Sequence, residues 1–395
     1  MRPDAVAADR AREVHRAARA WHEAGAIDDA AREAIVSRFP DDRARLGLAF
    51  RVLAFFFALV GIGSTFGVLM LGVSCGRADE AFVAGVCLVF GIGLAAATEV
   101  LMGPMRRADS GVEAATALMS VAFTVGGATW VADQVFRLNG GEPTVFFALA
   151  AVACALGGWR WGFAFLAVFA AMAGFGALAR LPAGRVLWLV AAAALAFPLL
   201  YAVDSPRLAP SHRRAAGAVV IVAVIAAYVA VHLGSLDHGV IELVADWDGH
   251  GEPAPGWLRT LSVLATALMP PALLLLAVFT RRVAMIRVAV LLGVASLVTL
   301  RFYVSVAPLW VVLLLSGTAA LLVVLAVRRG LASGADGERG GFTAEPLFED
   351  RERREAMEMV SAAALAPAAR ALPSDGGKID PGGGRYGGGG ASDSY

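Results

Sequence analysis

Three charged side chains lie within long apolar stretches of the sequence: Glu99, Asp133 and Arg301. A charge at the centre of a bilayer costs about 2.5–3.5 kcal/mol on insertion scales, so such residues often serve proton or ion transfer. Each of the three lies near one end of its stretch, where its side chain can reach water. Glu99 is therefore either part of a proton or ion path or a carboxylate held at the membrane interface. Asp133 and Arg301 are expected on the same outer side, where they could form an ion pair.

A loop at residues 235–256 is rich in acidic residues and histidine. The spacing Asp246-x-Asp248-x-His250 places oxygen donors and an imidazole on one short turn, as a metal site would. An EF-hand needs a longer run of ligands, and zinc needs more converging His or Cys residues. We interpret the segment as a solvated acidic loop and predict no metal site and no cofactor.

The sequence lacks the motifs of several enzyme classes. Cys75, Cys87 and Cys154 are far apart and form no C-x-x-C or Cys/His spacing. No G-x-x-x-x-G-K-[ST], G-x-S-x-G or H-E-x-x-H segment occurs. No basic patch alternates with aromatic residues, as a nucleic-acid-binding groove requires. We therefore expect no catalytic residues, no enzymatic activity and no nucleic-acid partner.

The elements that carry these residues are predicted to be membrane-spanning helices. Hydrophobic residues make up 58% of the chain and charged residues 17%, against about 45–50% and about 25% in soluble domains. The excess falls in runs of roughly 18–25 residues, enough to cross about 30 Å of hydrocarbon. The pattern predicts an all-α, polytopic transmembrane helix bundle of about ten spans, at residues 49–73, 81–102, 112–133, 143–157, 159–178, 185–203, 215–234, 257–279, 284–303 and 307–327.

The fourth and fifth predicted spans are separated only by the segment GGWRW at residues 157–161. This pair is either two full helices in a tight hairpin or a re-entrant feature.

Loops that are rich in arginine alternate along the chain with loops that are poor in it. The arginine-rich loops are predicted on the side of the N-terminus. The positive-inside rule then predicts a multi-pass protein of the bacterial cytoplasmic (inner) membrane with both termini cytoplasmic.

Polar segments flank the predicted transmembrane bundle at 46–329. Residues 1–45 are predicted to form a cytoplasmic helical hairpin, with Gly25 ending its first helix and Asp28 capping its second. Trp21 is expected to close this hairpin against Ile35 or Phe39, and these three residues are candidates for docking a partner. Residues 330–372 are predicted to be a soluble cytoplasmic segment with one helix, at about 350–366. The glycine-rich residues 373–395 are predicted to be disordered.

The segment WHEAGAI at residues 21–27, leading through Phe39 into the first span, resembles the opening of a large bacterial family. Its members are predicted multi-pass membrane proteins with a domain of unknown function. The segment from Leu300 to Arg329, with its aromatic pair and final arginines, is similar to the last spans of that group. The resemblance covers about the first 75 residues and the last two spans. It implies a short soluble hairpin before many transmembrane helices, and it brings no catalytic residues.

Two functions fit these features. The first is a non-enzymatic scaffold or accessory component of a membrane complex, embedded in the lipid bilayer, with possible protein partners at the hairpin and the tail. The alternative is a secondary transporter, or permease, with Glu99 in a proton or ion path. Five spans followed by five would place two halves in opposite orientation, as in inverted repeats.

Overall fold

A computed structural model describes residues 3–23, 25–40, 43, 47–74, 79–105, 110–138, 141–181, 183–236, 256–280, 282–304, 309–332, 338–339 and 342–343. Within these ranges the fold is all-α, as predicted. The chain forms two compact units, residues 1–312 and 313–395.

Twelve α-helices follow one another in the described part of the chain. Two precede the apolar region: α1 (Pro3–Glu23) and α2 (Asp29–Arg38). The apolar helices are α3 (Leu48–Ser74), α4 (Glu80–Met102), α5 (Val112–Phe136), α6 (Glu142–Trp161), α7 (Ala164–Ala179), α8 (Gly184–Val203), α9 (Pro210–Val231), α10 (Gly256–Phe279), α11 (Val283–Val304) and α12 (Leu309–Ala332). A 3₁₀ turn (Leu233–Leu236) follows α9, and β1 (Glu338–Arg339) pairs with β2 (Phe342–Thr343) in a short antiparallel ladder.

Each of the ten predicted spans overlaps one of the ten apolar helices. Eight of the described helices, α3–α6 and α8–α11, are long and apolar enough to cross a membrane. Helix α7 has 16 residues, which corresponds to about 24 Å at 1.5 Å per residue. Many large apolar side chains of these helices, such as Leu71 and Phe302, lie on the outer surface of the protein. The chain is therefore a multi-pass integral membrane protein whose apolar exterior contacts lipid.

The boundary between the fourth and fifth spans was predicted in the wrong place. Helix α6 continues through Trp161, and the turn lies at Gly162, whose φ of 79° is readily adopted only by glycine. Gly157 is helical, and a Cβ there would lie 3.1 Å from Leu166 Cδ1 of α7. The glycine pair thus permits close packing of the two helices α6 and α7 on either side of the turn.

The seventh span begins at Pro210, five residues before the predicted start. Proline is favoured in the first turn of a helix because its missing N–H has no partner there. Arg213 and Arg214 therefore lie at the start of α9 and not in the loop before it, as their charges had suggested. Their side chains form ion pairs with α1.

Neighbouring helices pack as antiparallel hairpins, α4 with α5, α6 with α7, α8 with α9 and α10 with α11. Small residues lie at the closest contacts: a Cβ on Gly127 of α5 would lie 2.7 Å from the Ala84 carbonyl oxygen of α4. The core where α7, α8 and α9 meet contains Phe175 and Trp188, and the Trp188 indole donates to the Phe175 carbonyl over 2.6 Å. Small side chains let membrane helices approach closely, which increases van der Waals contact between them.

Candidate functional site

Helix α1 lies against the end of the bundle where α9 begins; we call this the hairpin end and the opposite one the far end. Arg213 Nη2 lies 2.6 Å from Glu13 Oε2, and Arg214 Nη2 lies 3.8 Å from Asp9 Oδ2. The apolar stripe of α1 consists of alanines that are buried in the structure, namely Ala5, Ala8, Ala11 and Ala18. The two ion pairs thus join α1 to α9 of the bundle.

The predicted intramembrane carboxylate, Glu99, lies in the last turn of α4 at the hairpin end. Arg160 of α6 donates to it twice, from Nε to Oε1 over 2.7 Å and from Nη2 to Oε2 over 2.9 Å. The Trp161 indole N–H also donates to Oε1, over 2.9 Å. A two-point arginine–carboxylate contact fixes both distance and orientation. Glu99 therefore joins the ends of α4 and α6.

A second carboxylate near the hairpin end was missed by the sequence reasoning. Glu113 is 1% exposed, and it accepts hydrogen bonds from the backbone N–H of Ser110, over 2.8 Å, and from the Ser110 hydroxyl. These hydrogen bonds hold the Glu113 carboxylate in the first turn of α5, where a negative charge is favourable. The signal was present in the sequence, since Ser110 precedes Glu113 by three residues at the start of an apolar run.

The turn before α5 also requires a glycine. Gly111 has a φ of 92°, and a Cβ there would lie 2.2 Å from the carbonyl oxygen of Arg51 and 3.1 Å from Phe55 N. The start of α3 therefore passes directly beside this turn. The close approach places Arg51 and Glu113 on the same polar cavity.

This cavity, which we call the junction cavity, lies between α1 and the hairpin end of the bundle and has a volume of about 290 Å³. Its lining comes from α1, α3, α4, α5, α9, the turn between α6 and α7, and the position of Arg43. The charged residues of the described lining are Asp9, Arg12, Arg43, Arg51, Glu113 and Arg214. No local pattern in the sequence indicates this cavity, because its residues are spread from position 9 to position 214.

The three docking candidates lie on the hairpin, but Trp21 does not form its core. Trp21 is 51% exposed and Phe39 is 41% exposed, while Ile35 is half-buried. Trp21 is too exposed to be a buried core of the hairpin, its contact with Ile35 or Phe39 stays a prediction, and polar contacts close the turn. These contacts join His22 to Asp29 over 3.1 Å and His15 to the Phe39 carbonyl over 2.7 Å. Gly25, with a φ of 72°, ends α1, and Asp28 caps α2, both as predicted.

Asp133 and Arg301 are not brought together. The Asp133 carboxylate accepts a hydrogen bond from the backbone N–H of Leu138 over 3.3 Å, at the end of its own helix. Arg301 Nε is buried and has no hydrogen-bond partner among the described residues. The expected ion pair is absent between these two described residues because Asp133 is satisfied locally.

A polar cluster at the far end was also missed. Arg185 of α8 is 9% exposed and donates to the Ala230 carbonyl over 3.0 Å, to Ser235 Oγ over 2.9 Å and to the Ser235 carbonyl over 2.9 Å. The Thr266 hydroxyl of α10 accepts from Leu233 N over 2.8 Å. Arg185 thus neutralises the negative end of α9, where a cation is favourable.

Several predicted features lie outside the described residues. They include the Asp246, Asp248 and His250 spacing, the predicted helix at about 350–366 and the glycine-rich tail. Within the described part of the chain, no group of three or more His, Cys, Asp or Glu side chains is placed to hold a metal ion.

No family model matches the chain, and neither does any curated protein or solved structure. The resemblance at residues 21–39 and 300–329 therefore stays a prediction. What the structure shows is a multi-pass, all-α membrane protein with a helical hairpin attached to one end of its bundle.

Proposed function

We propose that the chain is a non-enzymatic scaffold or accessory component of a membrane complex. The observation that supports this best is the attachment of the hairpin. Two ion pairs join α1 to α9 of the bundle, while Trp21 is 51% exposed and Phe39 is 41% exposed. A rigidly held surface loses little conformational freedom when a partner binds, which favours affinity.

The residue types on this surface suit protein recognition. Tryptophan residues are enriched among the side chains that dominate binding energy at protein interfaces. Trp21, Val36 and Phe39 provide exposed apolar groups on an otherwise charged hairpin. The proposed partner is another protein that contacts these three side chains.

The surroundings of Glu99 support a structural role over the transporter alternative. A carboxylate that couples transport to protons must be reached by water from each side in turn. Glu99 instead receives two hydrogen bonds from Arg160 and one from Trp161 at the hairpin end. We propose that it holds helices α4 and α6 together.

The proposed location is the bacterial cytoplasmic membrane, with the hairpin end facing the cytoplasm. Several arginines cluster at this end, including Arg160, Arg207, Arg213, Arg214 and Arg282. Cytoplasmic surfaces of membrane proteins are enriched in such residues. The proposed family is the bacterial one that residues 21–39 resemble.

A photo-crosslinking amino acid at position 21 of the full chain, in its native membrane, tests the scaffold proposal. We expect one discrete crosslinked protein whose yield falls when Phe39 is replaced by alanine. The control carries the crosslinker at Phe136, which is exposed at the far end, and it should not yield that product. A product that is equally abundant from both positions, or crosslinks only to lipid from position 21, would contradict the proposal.

A further inference from the structure

We propose that a groove in the side of the bundle binds an anionic phospholipid. This lateral groove lies between α6, α7, α8 and α9 and has a volume of about 820 Å³. Most of its lining residues are small or apolar and come from all four helices, including Ala148, Ala155, Gly174, Leu195 and Val219. Val152, which also lines the groove, is 58% exposed. The groove therefore opens to the surface of the bundle that lipid covers.

The dimensions of the lateral groove suit hydrocarbon chains. Along α6 its lining runs from Thr144 to Trp159, which corresponds to about 22 Å at 1.5 Å per residue. One leaflet contributes half of a hydrocarbon core about 30 Å thick, so an acyl chain of one leaflet is shorter than the groove. A helix of the same length and about 10 Å in diameter would fill roughly 1,700 Å³, which is more than the groove contains. The space therefore favours acyl chains over a further helix.

Small side chains are the cause of this unfilled space. Ala148 and Ala155 are exposed and lie seven residues apart, on one face of α6. A Cβ at Gly174 of α7 would lie 4.0 Å from Ala151 Cβ of α6, so the two helices approach closely along the groove. An apolar void loses van der Waals contact along its walls. Lipid hydrocarbon that enters the groove restores this contact and is held there.

The hairpin end of the lateral groove carries polar groups at the level of the lipid head groups. Trp159 and His212 line the groove there, and the His212 ring donates from Nε2 to the Trp159 carbonyl over 3.2 Å. Tryptophan is enriched at the interface between membrane and water, where head groups lie. Leu208 also lines the groove, and its neighbour Arg207 is exposed. A guanidinium at this position matches two oxygens of a lipid phosphate.

The electrostatics of this end favour a negatively charged head group. The acidic residue nearest to Arg207 in the chain, Asp204, forms an ion pair with Arg282 over 2.6 Å. Helix α9 begins beside the groove, and its N-cap residue is Ala209, which has no side-chain oxygen to cap the first turn. The positive end of this 22-residue helix adds to the attraction of an anion. Charge complementarity thus selects an anionic lipid over a zwitterionic one.

A second groove provides the comparison. It lies between α3 and α4 and has a volume of about 580 Å³. All of its described lining residues are apolar, including Phe82, Val89 and Gly93. We expect lipid to contact this groove without selection for the head group.

The test is native mass spectrometry of the purified full chain in a mild detergent. Phosphatidylglycerol and phosphatidylcholine with identical acyl chains are titrated separately, and the fraction of lipid-bound protein gives a dissociation constant for each. We expect a saturable complex with one phosphatidylglycerol. Its dissociation constant should be lower than that of phosphatidylcholine by about fivefold or more, the order expected for one arginine at an anionic lipid.

Two variants fill the lateral groove, and one matched variant fills the comparison groove. Ala155→Phe and Ala148→Phe place a large side chain at exposed lining positions and should each weaken the binding of both lipids about tenfold or more, because hydrocarbon burial is lost. Gly93→Phe enters open space in the comparison groove and should leave binding unchanged. If Ala155→Phe does not fold, Ala148→Phe provides the measurement.

A second pair of variants tests the head-group end. Arg207→Gln should raise the dissociation constant of phosphatidylglycerol to that of phosphatidylcholine and leave the latter unchanged. Arg38→Gln removes the same charge from an exposed position of α2 and should leave both constants unchanged.

Several results would overturn the proposal. They are equal binding of the two lipids by the parent chain, selectivity that survives Arg207→Gln, and binding that neither groove-filling variant weakens. An effect of Gly93→Phe as large as that of the groove-filling variants would also overturn it. A dimer that forms as lipid is removed, and that Ala155→Phe abolishes, would show that a second copy of the chain occupies the groove instead.

Discussion

The Arg160 guanidinium contacts both oxygens of the Glu99 carboxylate, at 2.7 Å and 2.9 Å, and so joins helices α4 and α6 at the hairpin end. Half of the Arg160 side chain is exposed. Water therefore screens the pair, and its contribution to stability is modest. The main effect of the contact is to fix the orientation of α4 relative to α6.

This relationship gives the first prediction. A double-mutant cycle with Glu99→Gln and Arg160→Gln, measured by unfolding in detergent, should give a coupling free energy of about 1 kcal/mol or less.

Under the scaffold proposal, Glu99→Gln should still complement a deletion strain, whereas removal of residues 1–40 should not. Loss of complementation with Glu99→Gln at normal protein level, together with activity that survives removal of the hairpin, would favour transport.

Gly111 should not tolerate a side chain. Gly111→Ala should destabilise the protein by at least about 1–3 kcal/mol, the usual cost of an unfavourable backbone conformation, with a further cost from the clash at the Arg51 carbonyl. The measurement is the thermal unfolding midpoint in detergent. Gly126→Ala is the matched control, because it lies in α5 with open space around its Cβ position. Equal midpoints for the two variants would show that the turn can rearrange.

The Glu13–Arg213 pair should control attachment of the hairpin. Glu13→Arg should raise the rate of proteolysis between α2 and α3 several-fold, because it places two positive charges together. Combining it with Arg213→Glu should restore the parent rate. Salt should increase cleavage of the parent chain, since exposed ion pairs are screened. Glu33→Arg, at an exposed position of α2, serves as the control, and a similar effect from it would argue against a specific pair.

Arg185 should be more important for stability than its position near a span end suggests. Arg185→Ala removes three described hydrogen bonds to Ala230 and Ser235, and buried partners without a donor cost about 1–3 kcal/mol each. We expect a clear fall in the unfolding midpoint, and only partial recovery with Arg185→Lys, which lacks the planar fork. Arg180→Ala, at an exposed position of the same end, should have little effect. An unchanged midpoint in Arg185→Ala would contradict this assignment.

Orientation is tested by reporter fusions. Fusions after Arg214 and Arg282 should report the cytoplasm, and fusions between residues 237 and 252 should report the opposite side, because arginine-rich ends face inward. A cytoplasmic signal from residues 237–252 would reverse the proposed orientation.

The apolar runs by themselves determined that the chain crosses a membrane many times and where its helices lie. A membrane helix must satisfy its backbone hydrogen bonds internally and must match the bilayer thickness, so its length and composition are local properties. Gly25 and Asp28 were also predicted correctly, because a helix end depends on residues within one turn of it. The same locality made the contact between Ser110 and Glu113 detectable from their spacing.

Only the tertiary structure decided which side chains meet. Glu99 and Arg160 are 61 residues apart, and Arg213 and Glu13 are 200 apart, so no local pattern could pair them. The expected ion pair between Asp133 and Arg301 does not form. Two helix ends on the same side of a membrane need not be in contact with each other. The sequence does not show which side of α1 is buried, so it did not predict that Trp21 is half exposed. The junction cavity exists only because distant segments converge on it, and that convergence is set by helix packing.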